Sequence, residues 1–243
     1  MKRLLLVLLL PLLMGAGFAF NDHFVAYTPP VGTREEQRDF AAMVVAEADR
    51  FRGDFIARWL DGEPPGDMKS CIYVTFEDDE DSGRTWAIDY PGREYHNVYL
   101  HTTPERAVGS TLRHEVVHTI LATKFPHPNR LPSWIEEGIA TRYDDRERKA
   151  ARRATIRSWL KNDSIPRLQL LFVKNLHSSD DDGYAAACYL VDFLLTLDDR
   201  SAVIRCGDLA RSSPERAFRE VYGIESIAEL QRRWGRWLQT RLP

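Results

Sequence analysis

The 243-residue sequence predicts an α+β protein. One helix comes first, short strand-like segments follow, and apolar residues recur at helical spacing through the whole second half. Strands grouped apart from helices are typical of the α+β class. We expect one domain over residues 20–243, with an N-terminal helix, a small mixed sheet and the active helix at about 20–124 and a helical lobe at about 125–243.

The first half begins with a helix that Thr33 can cap and that the Gly- and Pro-rich residues 61–66 end. β-branched and aromatic residues then predict strands at 69–76, 86–90 and 95–101, with an acidic loop at 77–83 and a turn at Pro91-Gly92. The period becomes helical again after Thr103-Pro104, a cap followed by a proline at the first helical position. This second helix is expected at 104–124.

The second half is predicted to be helical throughout. A proline-rich loop at 125–132 leads to a helix starting near Ser133. Further helices are expected at about 144–161, 184–197, 200–211, 214–222 and 226–241.

The first 19 residues have the pattern of a secretory signal peptide. A basic start precedes the leucine-rich residues 4–13 and a small-residue stretch, so cleavage is expected after Ala19. The alternative is a retained anchor, although Pro11 interrupts an apolar run that is short for a bilayer. We expect an exported protein, periplasmic or extracellular, with no membrane span after cleavage.

The charge balance argues against a nucleic-acid partner. The whole chain has a net charge of −3, whereas nucleic-acid binders usually carry a basic excess or stripe. The basic run at 146–157 has acidic residues within and beside it, and is interpreted as a solvated helix face. The sequence does not indicate the oligomeric state.

Three cysteines, Cys71, Cys188 and Cys206, make an odd count for an exported protein. A Cys188–Cys206 disulfide is possible in principle, but connectivity does not follow from sequence. The fold is not expected to depend on it.

The most informative stretch is His114-Glu115-Val116-Val117-His118, within the predicted helix 104–124. Residues four apart lie on one helix face, so both imidazoles can bind one metal ion, with Glu115 beside them. A random order of the same residues would contain this pattern about 0.01 times. A catalytic zinc needs a third protein ligand, and Glu137 follows His118 after 18 residues, enough for a loop and one helical turn.

This arrangement, with Trp134-Ile135-Glu136-Glu137-Gly138 around the third carboxylate, resembles the gluzincin zinc metallopeptidases, and specifically the peptidase MA-like family. The resemblance implies a zincin-like fold, one Zn²⁺ ion held by His114, His118 and Glu137, and Glu115 as general base. It is specific over residues 110–141 and weaker over 69–240. The chain lacks the Gly-x-Met-Glu-Asn segment of the large aminopeptidases, so that specificity is not carried over.

The resemblance implies hydrolysis of peptide bonds by a metal-activated water, with a peptide or protein as substrate. Gluzincins often place a downstream tyrosine at the oxyanion, and Tyr184 is the candidate here. Tyr189, Tyr143 and His177 are its alternatives. Glu136 is a candidate for orienting a histidine ligand or is simply exposed, and Thr141 competes for the same orienting role.

The strand at 95–101 precedes the active helix. In zincin folds the corresponding edge strand pairs with extended substrate, which would place Asn97 and His101 near the cleft. A second function remains open: an exported metal-binding module that recognises peptides without hydrolysing them. Such a module would have no use for a base at Glu115.

Overall fold

The computed structural model describes residues 17–66, 69–78, 81–90, 93–177 and 179–241. They form a five-stranded sheet together with α-helices, which confirms the α+β prediction. The leucine-rich start and the Pro91-Gly92 turn lie outside the described residues. The chain divides into two compact units, one of residues 1–55 and 64–124 and the other of residues 56–63 and 125–243.

The strands are β1 (Gly17–Phe20), β2 (Phe24–Thr28), β3 (Ser70–Phe76), β4 (Ser82–Tyr90) and β5 (Arg93–Thr102). The helices are α1 (Arg34–Trp59), α2 (Ser110–Lys124), α3 (Ser133–Ala140), α4 (Arg146–Asn162), α5 (Leu168–Val173), α6 (Asp181–Leu194), α7 (Arg200–Ala210), α8 (Pro214–Tyr222) and α9 (Ile227–Arg241). A 3-10 turn at Thr141–Tyr143 follows α3.

The sheet of the first unit has the order β1-β2-β3-β5-β4. Strands β2, β3 and β5 run parallel, while β1 and β4 are antiparallel to their neighbours. The expectation that residues 95–101 form an edge strand is wrong, because β5 pairs with β3 on one side and β4 on the other. The edge strand of the sheet next to β5 is β4.

Helix α1 matches the predicted first helix. Its N-terminus is a capping box, in which the Glu36 amide donates to the Thr33 hydroxyl at 3.3 Å and the Glu36 carboxylate accepts from the Thr33 amide at 2.7 Å. The Phe40 ring packs edge-on against Phe76 of β3, with centroids 5.4 Å apart. The capped start and the apolar face together explain why this segment forms a 26-residue helix.

The two faces of the sheet differ because side chains alternate along each strand. One face is fully buried, as at Phe24, Ile72 and Val98. The other face carries a row of stacked tyrosines, Tyr27, Tyr73 and Tyr99, with 5.1 Å between successive centroids. Burial raises the pKa of Tyr73, so its phenol stays protonated at neutral pH.

Strand β1 was not predicted, and it overlaps the segment assigned to the signal peptide. Gly17 pairs with Thr28 of β2, and a Cβ at Gly17 would lie 2.3 Å from both the Gln37 carbonyl oxygen and the Thr28 hydroxyl oxygen. Among the described residues, no helix is both long enough and apolar enough to cross a bilayer.

The predicted second helix starts later than expected. The Thr103 carbonyl accepts from the Arg106 and Ala107 amides, which makes one helical turn, but the Gly109 amide returns to the Arg106 carbonyl at 2.7 Å and closes that turn. Helix α2 therefore begins at Ser110 rather than at residue 104.

The helices of the second unit agree with the predicted ones to within about three residues, and α5 is an addition. Several begin with an Asp or Ser cap that accepts a backbone amide, as Asp145, Asp199 and Ser213 do. Trp134, Phe172 and Phe218 form an aromatic cluster at the core, with centroids 5.1 to 5.9 Å apart.

The three cysteines are free thiols, so Cys188 and Cys206 are not joined. Both lie buried, in α6 and α7, whereas Cys71 of β3 is half-buried. Burial raises the pKa of all three thiols, and that of Cys206 to about 12.

We expect the buried thiols to react slowly with thiol reagents in the native protein. A raised pKa leaves little thiolate at pH 8, and the thiolate is the nucleophile. Titration with a chromogenic disulfide at pH 8 should consume three equivalents in denaturant without reductant, and Cys188 and Cys206 should lag behind Cys71 in native buffer. Recovery of one equivalent in denaturant would instead show a disulfide.

Candidate metal centre

Helix α2 carries the two histidines of the motif. Its buried side chains include Leu112, Val116 and Val117, which fix the helix in the first unit. His114 and His118 lie one helical turn apart, and the distance between their ring centroids is 5.1 Å. The helix therefore presents two imidazoles side by side, as the sequence spacing predicts.

The structure brings Glu137 to this pair. His114, His118 and Glu137 each offer one ligand atom, and the three atoms lie within 4.8 Å of one another. His118 and Glu137 are half-buried. Within the described part of the chain, this is the one group of three or more such residues found close enough to share a metal ion.

The donor set fits zinc. Two imidazole nitrogens and one carboxylate oxygen are the protein ligands of many catalytic zinc sites, and the fourth position stays available to water or substrate. Hard cations such as Ca²⁺ and Mg²⁺ instead favour shells made entirely of oxygen atoms.

Glycine follows Glu137 for a packing reason within the second unit. A Cβ at Gly138 would lie 2.6 Å from the Ala187 carbonyl oxygen and 2.5 Å from Val191 Cγ2, both on α6. Only glycine allows α3 to approach α6 this closely. The approach fixes the helix that carries Glu137.

Glu115 is buried, with 5% of its surface exposed, and it lies against strand β4. The Thr85 hydroxyl lies 2.6 Å from Glu115 Oε2 and 3.2 Å from the Glu115 carbonyl oxygen. A Cβ at Gly83 would lie 2.7 Å from Glu115 Cγ and 2.8 Å from Oε1. Strand β4 therefore makes room for the carboxylate at one residue and orients it at another.

Thr85 and Gly83 were missed in the sequence. An isolated glycine inside a strand often marks a close approach of another group, and Gly83 is such a glycine. The signal was lost because residues 82 and 83 were assigned to the acidic loop, whereas β4 begins at Ser82.

The candidate residues for stabilising the oxyanion lie on several elements. Tyr184 is half-buried in the first turn of α6, and its assignment stays a prediction. Tyr143 has a structural partner, because its hydroxyl accepts from Trp59 Nε1 at 2.8 Å. Tyr189 packs against the Trp237 ring with centroids 6.3 Å apart, and His177 is exposed.

The residues predicted to orient a ligand or to lie near the cleft are on α3, on the turn that follows it and on β5. Thr141 is fully buried, and its hydroxyl donates to the Gly138 carbonyl at 3.1 Å, so it caps the end of α3. Glu136 is half-buried on α3. On β5, His101 Nδ1 lies 2.7 Å from Glu77 Oε1, and Asn97 is half-buried in an interior strand.

No family model matches this chain, and no curated protein matches its sequence. The case for a metal centre therefore depends on the residues and their geometry.

We expect Thr85→Val to lower the free energy of unfolding by about 1–2 kcal/mol. The substitution keeps the shape of the side chain but removes the donor to a buried carboxylate. Thr75→Val is the matched control, because Thr75 is exposed on β3, and its change should stay within about 0.5 kcal/mol. Urea denaturation measures both variants, and equal stabilities would contradict the role given to Thr85.

Proposed function

We propose that this chain is a zinc-dependent hydrolase, and that it is a peptidase of the gluzincin type. The observation that carries the proposal is the convergence of His114, His118 and Glu137, with Glu115 next to the first histidine on the same helix. Two imidazoles and a carboxylate form an open zinc site, and the adjacent glutamate is the residue that such hydrolases use as base.

A bound zinc ion supplies Lewis acidity, which makes water a nucleophile at neutral pH and polarises a carbonyl. In the proposed reaction, Glu115 accepts the proton of the attacking water and delivers it to the leaving amine. Thr85 holds one oxygen of Glu115 at 2.6 Å, so the base is oriented before substrate arrives. Tyr184 is proposed as the further donor to the oxyanion.

Strand β4 supports a peptide as the substrate. Among the described strands it pairs with β5 alone, so it forms an edge of the sheet to which an extended chain could add as a further strand. A peptide added along this edge gains main-chain hydrogen bonds without depending on its sequence. The same strand contacts Glu115 through Gly83 and Thr85. An extended substrate on β4 would therefore lie beside the proposed base.

The zincin-like fold and export are part of the proposal. A mixed sheet with an antiparallel edge strand beside the motif helix agrees with the fold that the resemblance implies. A periplasmic or extracellular location rests on the sequence pattern of residues 1–19.

The first test is metal binding by the purified chain. We expect one equivalent of zinc by elemental analysis, and a loss of affinity of roughly 100-fold or more in Glu137→Ala. Altering a residue that merely orients a ligand costs 10–100-fold, and loss of a ligand costs at least as much. Glu147→Ala removes an exposed carboxylate on α4 and should keep the full zinc content. A wild-type chain that takes up no zinc at neutral pH would refute the metal centre.

The second test is hydrolysis of a peptide library by the zinc-loaded chain, read by mass spectrometry. Glu115→Gln should retain zinc and lower the rate by about 10²–10⁴-fold, the usual contribution of general base catalysis. A chain that binds zinc and peptides but cleaves none would favour the metal-binding recognition module. Equal rates in wild type and Glu115→Gln would rule out Glu115 as the base.

A further inference from the structure

The second unit contains a cavity of about 730 Å³ between α4, α6 and α9. It is large enough for an organic ligand, since pockets for small molecules usually measure 300–1,000 Å³. A smaller cavity of about 230 Å³ adjoins it and shares four of its lining residues, Arg142, Arg153, Tyr189 and Asp192. None of the three candidate metal ligands lines either cavity.

The larger cavity is strongly cationic. Its charged lining residues are Arg142, Arg153, Arg157, Arg241 and Asp192. Asp192 forms an ion pair with Arg142, so among the described lining residues no carboxylate remains for the other three guanidinium groups. The whole chain has a net charge of −3, so this concentration of positive charge does not follow from a basic composition.

The basic run of α4 is largely exposed, and two of its arginines also line the larger cavity. Asp144, an acidic neighbour of this run, forms ion pairs with Arg152 and Arg148. Arg153 and Arg157 are one turn apart and line the cavity. These two arginines therefore add positive charge to the cavity wall.

The smaller cavity contains a hydrogen-bond donor in need of an acceptor. Arg152 lines it, and the buried Nη1 atom of Arg152 has no hydrogen-bond partner in the described part of the chain. Its other terminal nitrogen, Nη2, is bonded to Asp144. A buried N–H group without an acceptor is destabilising, so a ligand oxygen at this position would be favourable.

One wall of the cavity is aromatic. Tyr189 and Trp237 meet edge to face there, with centroids 6.3 Å apart. Burial raises the pKa of Tyr189, so its hydroxyl remains a donor at neutral pH. The pocket therefore offers an apolar surface beside its cationic groups.

We infer that this pocket binds an organic polyanion, a small molecule with at least two carboxylate or phosphate groups and an apolar part. One arginine forms a pair of hydrogen bonds with the oxygens of a carboxylate or phosphate group. A cavity lined by several arginines can therefore bind several such groups of one ligand. The inference does not depend on the proposed peptidase activity, because the pocket lies within the second unit and uses none of the metal ligands.

Calorimetric titration of the full chain tests the inference. The protein is first stripped of metal with EDTA, so that chelation by the probes does not contribute heat. Tripolyphosphate represents phosphates and tricarballylate represents carboxylates, both at constant ionic strength because surface charges are screened by salt. We expect at least one probe to bind, and the stronger of the two identifies the anion class.

The double variant R153Q/R157Q should weaken binding of that probe roughly tenfold or more, since it removes two charge-assisted hydrogen-bond donors from the cavity wall. The control R232Q/R236Q removes two exposed arginines of α9 that do not line the cavity, and its affinity should stay within about twofold. Equal weakening in both variants would reduce the effect to overall charge and overturn the site. A Kd above about 1 mM for both probes would also overturn it.

Discussion

The burial of helix α2 is the constraint on which the candidate site depends. One face of the helix packs Leu112, Val116 and Val117 into the first unit, and the period of 3.6 residues then fixes the direction of His114 and His118. Glu115 falls between these faces and is buried with its carboxylate against β4. A charged group in that position is tolerated because Thr85 donates to it. The direction of the two histidines and of the proposed base thus follows from how a single helix is packed, whereas Glu137 lies on α3.

Much of the site could be predicted because its determinants are local. Two histidines four residues apart share a helix face whatever the rest of the fold does, and a capping residue such as Asp199 or Ser213 marks a helix start within a few positions. The predicted start of α2, at residue 104, was wrong for a local reason as well. Thr103 begins a helical turn, but the Gly109 amide closes it onto Arg106 before the helix proper begins.

The features that the sequence did not reveal depend on pairing between distant segments. Strand order is not encoded in any one strand, so the placement of β5 in the sheet interior and of β4 at its edge became visible only in three dimensions. The contact of Thr85 with Glu115 spans 30 residues. The arginine-lined cavity was hidden for a related reason, because a linear count of charges does not show that Asp144 pairs with Arg152 while Arg153 lines the cavity.

The pairing of β1 has a practical consequence for producing the protein. Cleavage or truncation after Ala19 would remove three of the four residues that form β1. Strand β2 would then become the sheet edge, with unpaired backbone groups along Phe24–Thr28. Exposed edges of this kind recruit strands from other molecules and promote aggregation. Recombinant protein that starts at Gly17 keeps this edge covered, whereas one that starts at Phe20 exposes it.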